Sequence, residues 1–330
     1  MDQALLDDVL SLPAKDLWPR VFDWAWTLWS TPMADGGEYS KLVERERSIA
    51  PLDNLLSGSA WELWDAFGTA APKTSAAVQH FWQTTAGGKA VLVLDALSLR
   101  EAAWLLEQAE ARGFQLHGAR ATASEIPPNT TPFAKALGFS QRSVLAHGAG
   151  SSSVLPGAQT ETSDLPFADC KALVPTHPDV FFWHHWPDER MHKLAEHSGG
   201  YRTLVKESAE LLRSDDFWGF VETLTTGRRL VITSDHGYAN VAMFPDVEHK
   251  AQAQALKTTF KSGRNASGDT PPDLAHWVPP LTRQLSNEHG DWSLVLGRKK
   301  WKSQGGYPTL AHGGLSLLEV AVPFIELSRV

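Results

Sequence analysis

Asp and His side chains, which bind divalent cations in proteins, stand directly after an apolar run in this sequence. Ser234-Asp235-His236-Gly237 follows the run Arg229 to Thr233, and a later segment carries His312 before two glycines. Neighbouring Asp and His side chains point apart, so the pair can bind two different cations, while glycine permits close approach of the backbone. The alternative is a capping aspartate beside a buried structural histidine. Because the motif is more specific than a lone acidic residue, we predict metal binding.

Two further segments supply the same types of ligand. Asp95 ends the apolar run Ala90 to Leu94, so its carboxylate is expected at the edge of a sheet, although such residues also cap helices. Asp188 and His192 are four residues apart, which places them on one face of a helical turn. There they can chelate one cation, or they can form only an ion pair at the start of a helix.

A proline-bounded loop, Pro127-Pro128-Asn129-Thr130-Thr131-Pro132, provides a hydroxyl for nucleophilic chemistry. It precedes a predicted helix, and the N-terminus of a helix favours anions. A hydroxyl activated by an adjacent cation can attack phosphorus, so we predict that Thr130 is the nucleophile. The alternative is that Thr130 or Thr131 only caps the helix, with Pro132 at its first position. Ser124 is a second candidate for the nucleophile.

Six carboxylate and imidazole side chains are therefore candidate ligands, and they suit two borderline cations. Zinc is favoured by this mixed donor set, with manganese as the alternative. Two such cations can stabilise the attacking and leaving oxygens of a displacement at phosphorus. The single cysteine, Cys170, excludes a disulfide within the chain and a thiolate cluster. The candidate ligands are Asp95, Asp188, His192, Asp235, His236 and His312.

Strand and helix patterns alternate from residue 89 onward, which predicts an α/β fold with a mostly parallel central sheet. Residues 1–88 show helical spacing and are predicted to form an N-terminal helical region. Residues 241–310 are predicted to be an insertion or lid, since loops of this length are uncommon unless they are functional or disordered. The predicted strands are Ala90–Leu94, Leu116–Ala123, Val180–Trp183, Arg229–Thr233 and Val320–Leu327, and the predicted helices are Ala102–Glu110, Thr131–Leu137, Tyr201–Leu212 and Asp215–Leu224.

The overall charge and hydropathy narrow the class of protein. The chain of 330 residues has a net charge of -8, which argues against non-specific duplex binding by a uniformly basic surface. Its N-terminus lacks a secretory pattern, and no apolar stretch has the length of a membrane span, so we expect a soluble cytoplasmic protein without membrane contact. Several of the 14 tryptophans crowd the N-terminal region. They are expected to pack helices; a base-stacking platform or a docking surface for a partner is the alternative.

Taken in order, these segments resemble motifs of the alkaline phosphatase superfamily, and they span residues 89–330. Pro127–Pro132 and Asp188–His192 are similar to motifs of its nucleotide pyrophosphatase/phosphodiesterase branch. Thr233–Gly237 and His312–Pro323 resemble the Ser-Asp-His-Gly and closing motifs of the superfamily. Within it the chain looks most like a PglZ domain protein, because Asp95–Glu101 resembles the signature Asp-x-Leu-Arg-Tyr-Glu, although Ser98 and Leu99 depart from that pattern.

The resemblance implies a three-layer sandwich and a phosphodiesterase or nuclease that acts on nucleotides or nucleic acid. It also implies protein partners in a bacterial phage-defence system such as BREX. A cofactor-independent phosphomutase, or a partner-docking subunit of a defence complex, is the alternative. By analogy, one cation is held by Asp188, His192 and His312, and the other by Asp95, Asp235, His236 and the Thr130 hydroxyl.

Overall fold

The computed structural model describes residues 3–33, 37–303 and 306–329 of the chain. Its N-terminal part is built of helices. These helices are α1 (Gln3–Ser11), α2 (Ala14–Ser30), α3 (Glu38–Gly58), α4 (Phe67–Ala70) and α5 (Thr74–Thr84).

Strands and helices alternate in the remainder of the chain, as predicted. The strands are β1 (Gly88–Leu94), β2 (Phe114–Ala123), β3 (Gln159–Ser163), β4 (Asp179–His184), β5 (Arg228–Thr233), β6 (Ala239–Asn240), β7 (Asn265–Ser267), β8 (Thr282–Asn287), β9 (Gly290–Val295), β10 (Leu310–Ala311) and β11 (Ala321–Arg329). The helices are α6 (Ala102–Ala111), α7 (Thr130–Ala136), α8 (Phe167–Cys170), α9 (Asp188–Leu194), α10 (Gly200–Arg213), α11 (Asp215–Thr225), α12 (Lys250–Phe260), α13 (Pro272–Ala275) and α14 (Leu317–Val320).

The central sheet has six strands in the order β2-β11-β5-β1-β4-β3. Strand β1 runs parallel to β4 and β5, and β3 runs parallel to β4, whereas β11 is antiparallel to both of its neighbours. The prediction of a mostly parallel sheet is therefore confirmed. Strand β3 was not predicted, because its sequence Gln-Thr-Glu-Thr-Ser has no apolar run; it forms the edge of the sheet, where one side of the strand is unpaired.

Two helical layers cover the sheet, which gives the predicted three-layer sandwich. Leu92 and Leu94 of β1 point into a core shared with helices α2, α6, α10 and α11. Val91 and Val93 point to the opposite face, where they join a core with α5 and α7. Both faces of the strand are buried, which explains its continuous apolar sequence.

The N-terminal helices share the first of these cores. Trp18 and Trp29 of α2 are fully buried, and the Trp18 ring lies 4.9 Å from that of Trp64. These tryptophans thus pack helices together, as the sequence predicts. A buried ion pair of 2.7 Å between Arg100 and Glu46 also joins α3 to the segment that precedes α6.

Residues 241–310 have secondary structure of their own. Helix α12 packs with apolar residues of the segment around Leu256, Phe260 and Trp301. Strands β7, β9 and β8 form a small antiparallel sheet. The two ends of the segment meet where β6 pairs with β10, so that His312 returns to the edge of the main sheet. Throughout the described ranges, no helix is both long and apolar enough to cross a membrane.

Candidate metal centre

The candidate ligands converge at one edge of the central sheet. Asp95 directly follows β1, Asp235 is the second residue after β5, and Asp188 begins the helix after β4. These three strands are parallel neighbours, so their carboxyl ends meet at the same edge. The predicted residues are thereby brought together in two groups of three.

The first group, the buried triad, consists of Asp95, Asp235 and His236, all of which are inaccessible to solvent. His236 Nε2 lies 3.6 Å from Asp95 Oδ1 and 3.3 Å from Asp235 Oδ2. Two carboxylates and an imidazole nitrogen thus face one another in the interior of the protein.

The second group, the outer triad, consists of Asp188, His192 and His312. Asp188 Oδ1 lies 3.3 Å from His192 Nε2 and 3.6 Å from His312 Nε2, and the two imidazole nitrogens are 3.2 Å apart. Tetrahedral zinc with bonds of 2.0–2.1 Å separates its ligand atoms by about 3.3 Å. The spacing of the outer triad therefore fits one tetrahedral cation.

Three ligand atoms of these triads are buried without a hydrogen-bond partner in the part of the chain that the structure describes: Asp188 Oδ1, Asp235 Oδ2 and His236 Nε2. A buried polar atom without a partner costs free energy, more so when it is charged. Asp235 Oδ2 and His236 Nε2 face each other, and Asp188 Oδ1 faces two imidazole nitrogens, so a cation bound at each triad would satisfy these atoms. The residues present therefore fit a metal centre.

The tautomers of two histidines agree with that role. His236 Nδ1 lies 3.0 Å from the Gly237 carbonyl, and His312 Nδ1 lies 2.9 Å from the Asn129 side-chain oxygen. Since a carbonyl oxygen can only accept, each Nδ1 carries the hydrogen and each Nε2 keeps a lone pair directed into the centre. In metal sites, an oxygen that accepts a hydrogen bond from the other ring nitrogen commonly orients the histidine.

The local backbone holds these histidines in place. A Cβ atom on Gly237 would approach the Leu318 carbonyl to 2.3 Å, and Gly313 adopts a φ of +102°. The buried Glu319 accepts hydrogen bonds from the Gly314 amide and the Ser316 hydroxyl, at 2.8 and 2.6 Å. The closing motif therefore fixes the turn after His312, a structural role that its sequence alone did not reveal.

Thr130 is the first residue of α7, and its hydroxyl adjoins the buried triad. Its Oγ1 lies 3.4 and 3.5 Å from the two oxygens of Asp95. Pro132 is the third residue of the helix rather than the first, and the Thr130 side chain is directed towards Asp95 instead of capping α7. The hydroxyl is thus within reach of any cation that Asp95 binds.

Electrostatics at the centre follow from burial. Burial raises the pKa of Asp95 well above its ordinary value, the charges of Asp235 and Asp188 raise it further, and the Arg142 guanidinium opposes them. Burial and the neighbouring His236 lower the pKa of His312 to about 3, so its imidazole is neutral near pH 7. A neutral imidazole is the form that binds a metal.

Two neighbours of Asp95 were not found by sequence reasoning. Arg142 forms an ion pair with Asp95 Oδ2, and the indole of Trp183 donates a hydrogen bond of 3.2 Å to the same oxygen. Trp183 lies in a predicted strand, whereas Arg142 stands in a 3-10 turn with no motif around it. Asn129, in the loop before α7, accepts a hydrogen bond from His312.

No protein-family model matches this chain, and no curated protein sequence matches it. Among solved structures, the chain is similar to murine ectonucleotide pyrophosphatase/phosphodiesterase 5, with 11% sequence identity and a TM-score of 0.38. The alignment covers 74% of this chain and 88% of that one.

Proposed function

We propose that the chain is a phosphoester hydrolase of the alkaline phosphatase type, with two divalent cations and Thr130 as its nucleophile. The observation that carries the proposal is the pair of adjoining triads, whose buried ligand atoms lack hydrogen-bond partners among the described residues. The Thr130 hydroxyl lies beside them.

The outer triad would hold one cation, and the buried triad with the Thr130 hydroxyl would hold the other. Zinc is proposed because the donors are mixed nitrogen and oxygen and because the outer triad has tetrahedral spacing, with manganese as the alternative. When bound, such cations offset the charge of a phosphate and lower the pKa of an adjacent hydroxyl.

The protein's own residues would position the nucleophile. Two hydrogen bonds hold the loop that carries Thr130. The Asn287 side chain donates to the Ile126 carbonyl directly before the loop, and Asn129 within the loop accepts from His312. The Thr130 oxygen would attack phosphorus as one ester oxygen leaves, and the proton lost by the hydroxyl would end on the leaving group. With a diester, the phosphorus bound to Thr130 would keep its second organic group. Water would then break the new phosphorus–oxygen bond, restore the hydroxyl and release a phosphomonoester, or phosphate where the substrate is a monoester.

A cavity of about 530 Å³ beside the outer triad offers room for the substrate. It is lined by His192 and His312 on one side and by Arg264, Asn265 and Tyr307 from the 241–310 segment on the other. Its volume lies in the range of small-molecule sites, which supports a nucleotide-sized group as the substrate.

We further propose that the substrate is a phosphodiester of a nucleotide or nucleic acid, because the loop Pro127–Pro132 resembles a motif of the nucleotide pyrophosphatase/phosphodiesterase branch. The PglZ-type assignment and a role in phage defence, with protein partners in the cytoplasm, are proposed from the similarity of Asp95–Glu101 alone.

The test is the release of nitrophenol from a nitrophenyl ester of a nucleotide, after chelation and then addition of zinc or manganese. The hydroxyl of Thr131 is adjacent in sequence, so Thr131→Ala is the matched control for Thr130→Ala. We expect metal-dependent turnover in the wild type and in Thr131→Ala, and its near loss in Thr130→Ala with a metal content close to that of the wild type.

Absence of metal-dependent turnover of mono- and diesters by the wild type would refute the proposal. Transfer of phosphate between positions of a sugar phosphate, without release to water, would favour the phosphomutase alternative.

A further inference from the structure

We infer that a lysine patch on the 241–310 segment binds single-stranded nucleic acid beside the proposed catalytic centre. The lysine patch consists of Lys250, Lys257, Lys300 and Lys302, which line a groove of about 310 Å³. The exposed Tyr307 lines the same groove. Use of the bound strand as a substrate rests on the proposed function, whereas its binding does not.

The lysine patch comes from two basic stretches of an acidic chain. Residues 249–268 contain four Lys or Arg side chains and no Asp or Glu, and so do residues 292–318, although the net charge of the chain is -8. Arg264 and Arg298 of these stretches are buried beside carboxylates, so the lysines supply the charge at the surface. A basic surface confined to one part of an acidic protein directs a polyanion to that part.

Local structure brings the four lysines to one groove. Lys250 and Lys257 are seven residues apart in α12, so they share one face after two helical turns. Lys300 and Lys302 flank Trp301, whose side chain is buried in a core with residues of α12. Two segments of the chain thereby contribute amino groups to the same groove.

Most of this positive charge has no partner in the protein. Asp246 is the one carboxylate among the described residues that line the groove, and it lies 3.9 Å from the Lys300 amino group. Lys250, Lys257 and Lys302 are exposed, and none of them has an ion-pair partner in the ranges that the structure describes. Lys250 also begins α12, where a positive charge opposes the helix dipole. Stability of the fold does not account for these side chains, whereas an anionic partner does.

Tyr307 connects the lysine patch with the proposed centre. Its side chain is 46% exposed, and Lys300 Nζ lies 5.3 Å from the centroid of its ring. Tyr307 also lines the cavity that His192 and His312 bound. Bases of single strands stack on exposed aromatic rings beside positive charges. In a duplex the faces of the bases are already stacked, so this arrangement favours a single strand.

The experiment measures the binding of a fluorescent oligo(dT) of about 12 nucleotides by anisotropy. The full chain carries Thr130→Ala, so that the strand is not cut. Lys257→Gln with Lys302→Gln should reduce the slope of the logarithm of the binding constant against that of salt concentration by about 1.4, or about 25-fold in affinity at about 0.1 M salt. The matched control, Lys15→Gln with Lys41→Gln, removes the same charge at exposed positions of α2 and α3 and should bind like the parent.

Replacement of Tyr307 tests stacking separately from charge. Tyr307→Leu should weaken binding by about 5-fold or more, with the salt slope unchanged, because it removes the ring on which a base stacks. Tyr307→Phe keeps the ring and should bind like the parent.

Equal affinities of the two double-lysine variants for oligo(dT) would overturn the inference. Equal or tighter binding of the oligo(dT)·oligo(dA) duplex, or binding of phosphatidylserine vesicles without binding of the strand, would overturn it as well, because the surface would then serve another polyanion. The assay requires no turnover, so its failure is distinct from failure of the proposed function, which the nitrophenyl ester tests.

Discussion

His236 and His312 lie with their rings stacked, the ring centroids 4.3 Å apart and the ring planes 17° from parallel. His236 belongs to the buried triad and His312 to the outer triad, so this contact sets the two candidate cation sites side by side. Neighbouring cations are the arrangement used for displacement at phosphorus. Residues separated by the whole 241–310 segment thus form one centre.

Loss of a ligand of the buried triad should lower metal binding, turnover and the stabilisation that metal provides. Asp235→Ala removes a ligand of the buried triad, so we expect both the metal content and the turnover of the variant to fall. A cation that binds only the folded state stabilises it by about 2.7 kcal/mol at 100 times its dissociation constant. Chelation should therefore lower the melting temperature of the wild type much more than that of Asp235→Ala. Equal shifts in calorimetry would show that the triad holds no cation.

Replacement of Thr130 should separate chemistry from metal binding. We expect Thr130→Ala to lower kcat by more than about 10³-fold, as removal of a nucleophile does. Thr130→Ser retains a hydroxyl and should keep measurable turnover. Rates on the nitrophenyl ester, with metal content measured in parallel, provide the check. Similar rates for the alanine and serine variants would remove Thr130 from the role of nucleophile.

Arg142 should stabilise the metal-free protein more than the metal-bound one. Its guanidinium offsets the charge of the buried Asp95, and loss of such a partner costs about 1 to 3 kcal/mol. With cations bound, Asp95 has other positive neighbours, so the penalty for Arg142→Ala should shrink. Urea unfolding with and without chelator measures both values, and Arg142→Lys is the control that keeps the charge. An equal loss of unfolding free energy with and without chelator would contradict this role.

His184 should make stability fall in acid. Its Nε2 donates to the Leu165 carbonyl and its Nδ1 accepts from the Trp186 amide, so the folded protein has no place for a second proton. Burial lowers its pKa from 6.5 to about 4. The unfolded chain binds the proton first as pH falls through this window, which removes about 3 kcal/mol of unfolding free energy.

The check is urea unfolding of the wild type and of His184→Gln between pH 7 and pH 4. We expect the variant to lose less stability over this range, because it lacks the titrating group. His177→Gln, at an exposed position, should follow the wild type. Parallel pH profiles for the wild type and His184→Gln would count against the assignment.

The ion pair between Glu46 and Arg100 should make the N-terminal helices integral to the fold. Both side chains are buried, and removal of one partner of a buried pair costs about 3 to 5 kcal/mol. Glu46→Ala should therefore lower the unfolding free energy by about that amount. Glu44→Ala, at an exposed position of the same helix, should have little effect, and similar midpoints for the two variants would disprove the role of the pair.

Local sequence determined the parts of the fold and site that depend on local chemistry. The apolar run of β1 ends in Asp95 because a strand covered on both faces must be apolar until it reaches the edge of the sheet. Asp188 and His192 face the same cation position because four residues make about one helical turn. The pairing of Asp235 with His236 at a strand end likewise needed no tertiary information.

Tertiary structure alone decided the relations between distant segments. Strand β3 forms by pairing with β4 although its own sequence is polar, and the reversed direction of β11 depends on its neighbours. Arg142 reaches Asp95, and Glu319 fixes the turn after His312, because folding brings their segments together. The free ring nitrogen of His312 is set by Asn129, which is distant in the chain, whereas that of His236 is set by the carbonyl of the next residue, Gly237.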